Sequence, residues 1–217
     1  MPTILGIDEA GRGSVVGPLV VAGYMIDSKD EGKLRLLGVK DSKLLTPEKR
    51  DFLFKEIRKI AKDYVIIQIP AKEIDDLRKR TNLNKIEGEK MAEIIKTLNP
   101  DKAILDAPQV STEKFKDFVK SLSKNNTKII SENFADLNYP VVAAASILAK
   151  VTRDREVEKI KKKVKFDFGV GYPHDEKSVE FVKNCIKDKK NMEFIRHSWI
   201  TVLDAIVENE QRKLGDF

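Results

Sequence analysis

The sequence predicts an α/β fold built on a mixed sheet, and three observations predict it. Residues 3–8, 15–26 and 64–69 are short apolar runs bounded by glycines or acids. The middle of the chain then alternates helix-like and strand-like segments, the order that gives parallel strands joined by crossover helices. Residues 166–217 carry only helical periodicity. The expectation is parallel pairing behind an antiparallel front, flanked by helices, with a small C-terminal helical appendage.

Each element has a local reason. Residues 3–8 are apolar and end in Asp8-Glu9, as a buried strand reaching a sheet edge would. Residues 15–26 form a second strand, interrupted by Gly17, Pro18 and Gly23. Thr46 is placed to cap a helix whose first position is Pro47, and Leu53, Ile57 and Ile60 recur at helical spacing. Residues 64–69 are rich in β-branched side chains and form the third strand. Met91, Ile94, Ile95 and Leu98 line one face of a helix that Asn99-Pro100 ends. Residues 102–105 form a short buried strand closing at Asp106. Ser111 opens a helix with Phe115, Phe118, Val119 and Leu122 inward, and Asn125-Asn126 turn into a strand at 128–130. A long helix follows Pro140 and runs to about residue 165. Gly169, Gly171 and Pro173 mark a hinge loop. Val179, Val182 and Ile186 mark one further helix, and Trp199, Val202, Leu203, Ile206 and Val207 the last. The expected division is a main domain over 1–165 and an appendage over 166–217.

Composition sets bounds on function. A 217-residue chain that is 41% hydrophobic and 35% charged can bury a sizeable core, which excludes a disordered or fibrous protein. The 41 basic against 35 acidic residues leave a net charge of +6, which suits a polyanionic partner without requiring one. Cys185 is the only cysteine, so an intrachain disulfide and a thiolate metal cluster are excluded. The first residues lack the pattern of a signal peptide. The longest apolar stretches, 15–26 and 141–149, fall short of the roughly 18 residues of a membrane helix. The expectation is a soluble, cytoplasmic protein with no membrane partner.

The chemistry concentrates in carboxylates. In Gly6-Ile7-Asp8-Glu9-Ala10-Gly11-Arg12-Gly13, two acids end an apolar strand, where charge needs compensation. A hard divalent cation with oxygen ligands would compensate it. Neighbours on a strand face opposite ways, so Asp8 and Glu9 share a site only if the strand breaks near Ala10-Gly11. A solvated pair of acids is the open alternative. Asp106 closes a second strand, where sites gather in parallel sheets. Asp136 precedes the long helix, and taken alone a helix-start acid favoured by the dipole is its better explanation. No serine, cysteine or histidine constellation competes. His174 and His197 lack the spacing of a zinc site. Four carboxylates suit Mg²⁺, and two such ions about 4 Å apart serve phosphoryl chemistry.

These residues carry a resemblance. The run from Gly6 to Gly13, with Gly17-Pro18-Leu19-Val20-Val21, resembles the opening of ribonuclease HII. The likeness continues through Asp41-Ser42-Lys43, Leu105-Asp106, Ala135-Asp136 before Tyr139-Pro140, and Ala143-Ala144-Ala145-Ser146-Ile147-Leu148-Ala149-Lys150-Val151 with Arg153-Asp154. It ends at Gly169, Gly171-Tyr172-Pro173 and Ser198-Trp199. The segments fall in the family's order over nearly the whole chain, and the archaeal single-chain type is most alike.

The resemblance implies a ribonuclease H-like fold with a mixed five-stranded sheet, a catalytic domain over 1–165 and a substrate-binding helical appendage over 166–217. It implies Asp8, Glu9, Asp106 and Asp136 as catalytic, metal-binding acids for Mg²⁺ or Mn²⁺, two ions with substrate bound. It implies hydrolysis of the RNA strand of RNA–DNA hybrids and cutting 5′ of ribonucleotides in duplex DNA, leaving 3′-hydroxyl and 5′-phosphate ends. Gly11, Arg12 and Gly13 resemble the ribose reader, where glycine lets backbone approach the 2′-hydroxyl. A tight turn is their alternative reading. Tyr172 matches a tyrosine that packs on the neighbouring deoxyribose. Ser42, Lys43, Ser146, Lys150 and Arg153 match substrate contacts. The basic run over 153–165 is open between a duplex-tracking face and a mixed, solvated one. The chain departs from many relatives at Asn133-Phe134, where His-Lys is common, and at Val170, where serine is common.

The expectation is a monomer, and the short C-terminal stretch over residues 211–217, loosely like a clamp-binding peptide with one aromatic, makes a replication clamp a candidate partner. Ribonuclease HIII is the nearest rival; it carries an extra N-terminal domain and lysine at the position of Arg12. Another ribonuclease H-like nuclease would lack the Gly11-Arg12-Gly13 and Tyr172 pair. A silent nucleic-acid-binding protein would not need all four acids.

Overall fold

The computed structural model describes residues 1–39, 46–108 and 111–215. Its centre is a five-stranded sheet in the order β3-β2-β1-β4-β5. The strands are β1 (Thr3–Ala10), β2 (Leu19–Asp27), β3 (Asp63–Ile69), β4 (Lys102–Asp106) and β5 (Lys128–Glu132). β1 pairs antiparallel with β2, from Thr3↔Asp27 to Ala10↔Val20. β1 also pairs parallel with β4, and β4 with β5. The mixed sheet expected from the sequence is therefore present. Because β1, β4 and β5 run parallel, their carboxyl ends reach one sheet edge, which collects Asp8, Asp106 and the turn after Glu132.

The helices are α1 (Glu31–Leu36), α2 (Pro47–Ile60), α3 (Ala71–Arg78), α4 (Leu83–Leu98), α5 (Thr112–Ser123), α6 (Ala135–Asn138), α7 (Pro140–Val164), α8 (Glu176–Asp188) and α9 (Ile200–Gly215). The predicted cap of α2 forms: Thr46 Oγ1 accepts the Lys49 amide at 3.3 Å. Helices α1, α3 and α6 carry no sequence expectation. They are short and bury few apolar residues, Leu34 in α1 and Ala71 and Ile74 in α3, too few to set a period. No helix among the described residues is long and apolar enough to cross a membrane.

The chain forms two compact units. The first comprises residues 1–10, 20–67 and 82–151, and the second 11–19, 68–81 and 152–217. In the first, alternate β2 residues Val20, Ala22, Tyr24 and Ile26 pack in one cluster with Leu53, Phe54 and Ile57 of α2 and Val141–Val151 of α7. Residues 141–149 are buried all round, which is why this stretch shows no amphipathic stripe. A Cβ on Gly6 would collide with the backbone of Val141 and Val142, so glycine permits the close approach of β1 to the start of α7.

In the second unit Val15, Val16, Val157, Phe168, Phe181, Val182, Ile195 and Val202 share a core. Phe181 stacks on Phe166 and Phe168 at 5.6 and 4.9 Å. This corrects the expectation that 15–26 is one strand. Gly17 turns at φ +85°, Val16 bridges to Ile195, and β2 begins at Leu19. An apolar run reports burial, and here its two halves are buried in different cores. The boundary expected between 165 and 166 falls within the second unit.

Candidate active site

Four elements of the first unit bring acids and their partners together. Asp8, on β1, is 5% exposed, and its Oδ1 accepts the Glu9 amide N–H at 2.7 Å. Burial pushes its carboxyl up to about 7, the Asp106 charge adds to this, and Asp136 adds less; hydrogen bonds from Ser146 and the Glu9 amide oppose the rise. Asp106 ends β4, and its Oδ1 accepts the Ala135 amide at 3.1 Å. Asp136, in α6, is 3% exposed, and its Oδ1 has no hydrogen-bond partner among the described residues.

The turn that delivers Asp136 is tied at both sides. Asn133 Nδ2 donates to the Ala107 carbonyl at 2.8 Å, and Tyr139 Oη donates to Glu132 Oε1 at 2.7 Å. Between them Phe134 takes the left-handed conformation, φ 58°, with its ring 63% exposed. Such a conformation strains a non-glycine residue by about 1 kcal/mol. Asn133 therefore takes a structural part, tying this turn to the end of β4.

Asp8↔Ala22, Glu9↔Val21 and Ala10↔Val20 pair in regular register, so β1 runs unbroken through its two acids and ends where the sequence offered a break, at Ala10-Gly11. The break comes at Gly11, φ +84°. Among the described residues no three His, Cys, Asp or Glu side chains converge as they would around an ion. The donor chemistry nevertheless fits a hard cation. Asp136 Oδ1 is a buried acceptor without a donor, and Asp8 is a carboxylate whose charge is opposed by burial and a second acid. A divalent ion would reverse both penalties.

Ser146 is buried on α7 and hydrogen-bonds the Asp8 carboxylate. Lys150 stands one turn further along the same helix. Ser42 and Lys43 lie outside the described residues.

The second unit holds the remaining matched residues. A Cβ on Gly11 would stand 2.7 Å from the Pro18 carbonyl oxygen, so only glycine suits that position. Arg153 is buried, donates through Nη2 to the Val170 carbonyl at 2.5 Å, and lies 4.8 Å over the Tyr172 ring. Tyr172 also stacks on His174 at 5.6 Å. Gly171 O accepts the amides of Val15 at 2.8 Å and Val16 at 3.2 Å, and Asp175 accepts the Val170 amide at 2.6 Å, so the tyrosine loop is held from several directions. The Val170 side chain is exposed, and its backbone makes the bonds to Arg153 and Asp175, so the loop's hold does not depend on the side chain at 170. In the basic run, Lys159 pairs with Glu156, and Lys161 with Glu158 and Asp167. Those two lysines belong to a mixed, partly neutralised surface.

Sequence reasoning missed Arg196, a fully buried arginine bonded to the loop that carries Gly11 and Arg12. The available signal was its position in an apolar stretch just before the matched Ser198-Trp199 pair.

Comparison with known proteins agrees with this layout. The family model described as Ribonuclease HII matches residues 5–202. A ribonuclease HII of Methanothermobacter thermautotrophicus is 46% identical over 202 residues, covering 92% of this chain and 97% of that protein. The crystal structure of the ribonuclease H2 from Pyrococcus horikoshii OT3 superposes with a TM-score of 0.90 at 38% identity, over 96% of this chain and 99% of that one. A ribonuclease HII from Archaeoglobus fulgidus, solved as a complex with PCNA, gives a TM-score of 0.84 at 41% identity, over 91% and 95%.

Proposed function

The chain belongs to the ribonuclease HII family, a divalent-metal-dependent family of ribonuclease H endonucleases, and on that premise we propose that it cuts the phosphodiester 5′ of ribonucleotides in DNA duplexes and hydrolyses the RNA strand of RNA–DNA hybrids. The products carry 3′-hydroxyl and 5′-phosphate ends. Residues 1–165 carry the chemistry and the helices of 166–217 hold substrate.

The observation that carries the reading is the Asp8 environment: a buried carboxylate raised to about 7 beside Asp106 and Asp136. Such a cluster is costly to a fold and useful to a phosphoryl-transfer site. Asp8, Glu9, Asp106 and Asp136 would hold Mg²⁺ or Mn²⁺, two ions with substrate bound. When bound, the ions supply Lewis acidity that activates water and neutralises charge on the phosphate oxygens. The protein's share is orientation. Ser146 and the Glu9 amide favour the ionised form of Asp8, and the Ala135 amide fixes Asp106. The loop of Gly11, Arg12 and Gly13 approaches the 2′-hydroxyl through its backbone. Arg153 holds the ring of Tyr172 for packing on the adjoining deoxyribose. Ser42, Lys43 and Lys150 contribute to phosphate binding, while buried Arg153 serves substrate through Tyr172.

The complex of the A. fulgidus relative with PCNA supports a sliding-clamp partner here as well; residues 211–217 are our candidate contact, from their sequence alone. Residues 216 and 217 lie outside the described part.

An end-labelled DNA duplex with one internal ribonucleotide, incubated with Mg²⁺, tests the reaction. The expected product ends at the phosphodiester 5′ of that ribonucleotide and can be extended by a polymerase, as a 3′-hydroxyl allows. Equal cutting of an all-DNA duplex, or products carrying a 3′-phosphate, would overturn the proposal.

A further inference from the structure

Arg196 is a large side chain with no exposed surface. Burying a guanidinium is costly unless its donors are satisfied. Here Nε donates to the Gly17 carbonyl at 3.1 Å, Nη1 to the Arg12 carbonyl at 2.9 Å and Nη2 to the Gly11 carbonyl at 2.7 Å. The Trp199 ring lies 4.8 Å from the guanidinium carbon. The Arg196 amide also donates to the Val15 carbonyl at 2.9 Å, so backbone and side chain grip the same loop, residues 11–17. The Gly11 carbonyl is held a second time, by Ser14, whose Oγ donates at 2.9 Å and whose amide donates at 3.3 Å.

Two consecutive carbonyls, those of Gly11 and Arg12, thus turn towards one planar, rigid fork. Each belongs to a peptide unit whose N–H points opposite to its C=O. The N–H groups of Arg12 and Gly13 are consequently directed away from Arg196. The geometry points to Arg196 as the positioning residue for ribose recognition: it aims the Arg12 and Gly13 amides as a donor pair for the 2′-oxygen of the ribonucleotide. This rests on the reading of Gly11-Arg12-Gly13 as the ribose reader. A lysine could not reproduce the function, because a single ammonium cannot address three carbonyls in the plane that the guanidinium spans. Ser14 serves the same end by fixing the first carbonyl from a separate direction.

The test compares the full-length protein with Arg196→Lys and Ser14→Ala. Affinity is measured for two duplexes that differ only in one 2′-oxygen, with Ca²⁺ as the only divalent cation. The wild type is expected to prefer the ribonucleotide duplex. Arg196→Lys is expected to lower that preference about tenfold or to abolish it, the effect of a misaimed hydrogen bond. Its affinity for the all-DNA duplex should stay within about twofold of wild type, whereas general loss of structure would weaken both. Ser14→Ala should lower the preference in the same sense by a smaller factor. Folded variants that keep the wild-type preference would overturn the inference while leaving ribose reading intact. A wild type with no preference would overturn ribose reading itself, and the inference with it. Should Arg196→Lys fail to fold by circular dichroism, Ser14→Ala decides: an unchanged preference overturns the inference and a reduced one supports it.

Discussion

Replacing Asp8 by Asn is expected to stabilise the metal-free protein while removing its activity. In the folded state the Asp8 carboxyl lies at about 7 against an ordinary value of 3.8. The folded protein therefore binds a proton here that the unfolded chain has released, so stability falls as the pH rises from about 4 to about 7 and is flat beyond. The difference of about 3 units corresponds to about 4 kcal/mol at 1.36 kcal/mol per unit, a ceiling on what the ionised carboxylate costs above pH 7. Asn keeps an oxygen for the Glu9 amide and carries no charge. In EDTA at pH 8 the variant should gain stability, up to that ceiling. At pH 5 the gain should be clearly smaller, because the folded protein still holds the proton and the pH is only a little above the ordinary value of the unfolded carboxyl. Urea denaturation at both pH values reads this as a midpoint shift with an unchanged slope. Saturating Mg²⁺ should reverse the order, since only the wild type gains fully by binding. A variant less stable than wild type at pH 8, or a gain of equal size at both pH values, would refute the reasoning.

Three further outcomes follow from the geometry. Gly11→Ala places a Cβ against the Pro18 carbonyl at a left-handed position and should lower stability by about 1–2 kcal/mol, measured by thermal unfolding, with ribonucleotide cleavage impaired as well. Asn133→Ala removes the bond to Ala107, at about 1 kcal/mol, and should raise the Mg²⁺ concentration for half-maximal cleavage; an unchanged Mg²⁺ titration would contradict its part in placing Asp136. Tyr172→Phe keeps the ring over which Arg153 lies and should cleave at near the wild-type rate, whereas Tyr172→Ala should lose about tenfold or more in kcat/KM, the scale of a lost aromatic stacking contact.

Much of the fold could be read from residue patterns because its strands are short and its caps are explicit. Thr46-Pro47 and Asn99-Pro100 marked helix ends where local chemistry decides the outcome. Residues 15 and 16 misled because apolarity carries no address: they continue the run into β2 by composition, yet they pack with Phe168 and Ile195. The acids were legible as ends of strands and through family likeness. Asp136 alone reads as an ordinary helix-start acid, and its buried, unpartnered Oδ1 emerges only once the turn at Asn133 is in place. Ser146 resembled a substrate contact, while the fold sets it against Asp8. Arg196 was illegible for a different reason: its partners, Gly11, Arg12 and Gly17, lie far away in sequence, and only tertiary structure brings their carbonyls to one guanidinium.

The central claim is that four acids make one metal site for cutting at a ribonucleotide. Single-turnover cleavage of a duplex with one ribonucleotide, at saturating Mg²⁺, tests it most directly with Asp8→Asn, Asp106→Asn and Asp136→Asn compared against wild type. The expected result is a loss of at least about a hundredfold in each variant, the scale of a removed charge-stabilising group, with duplex binding retained. Wild-type rates in any one of the three would contradict the assignment of that carboxylate, and wild-type rates in all three would refute the site.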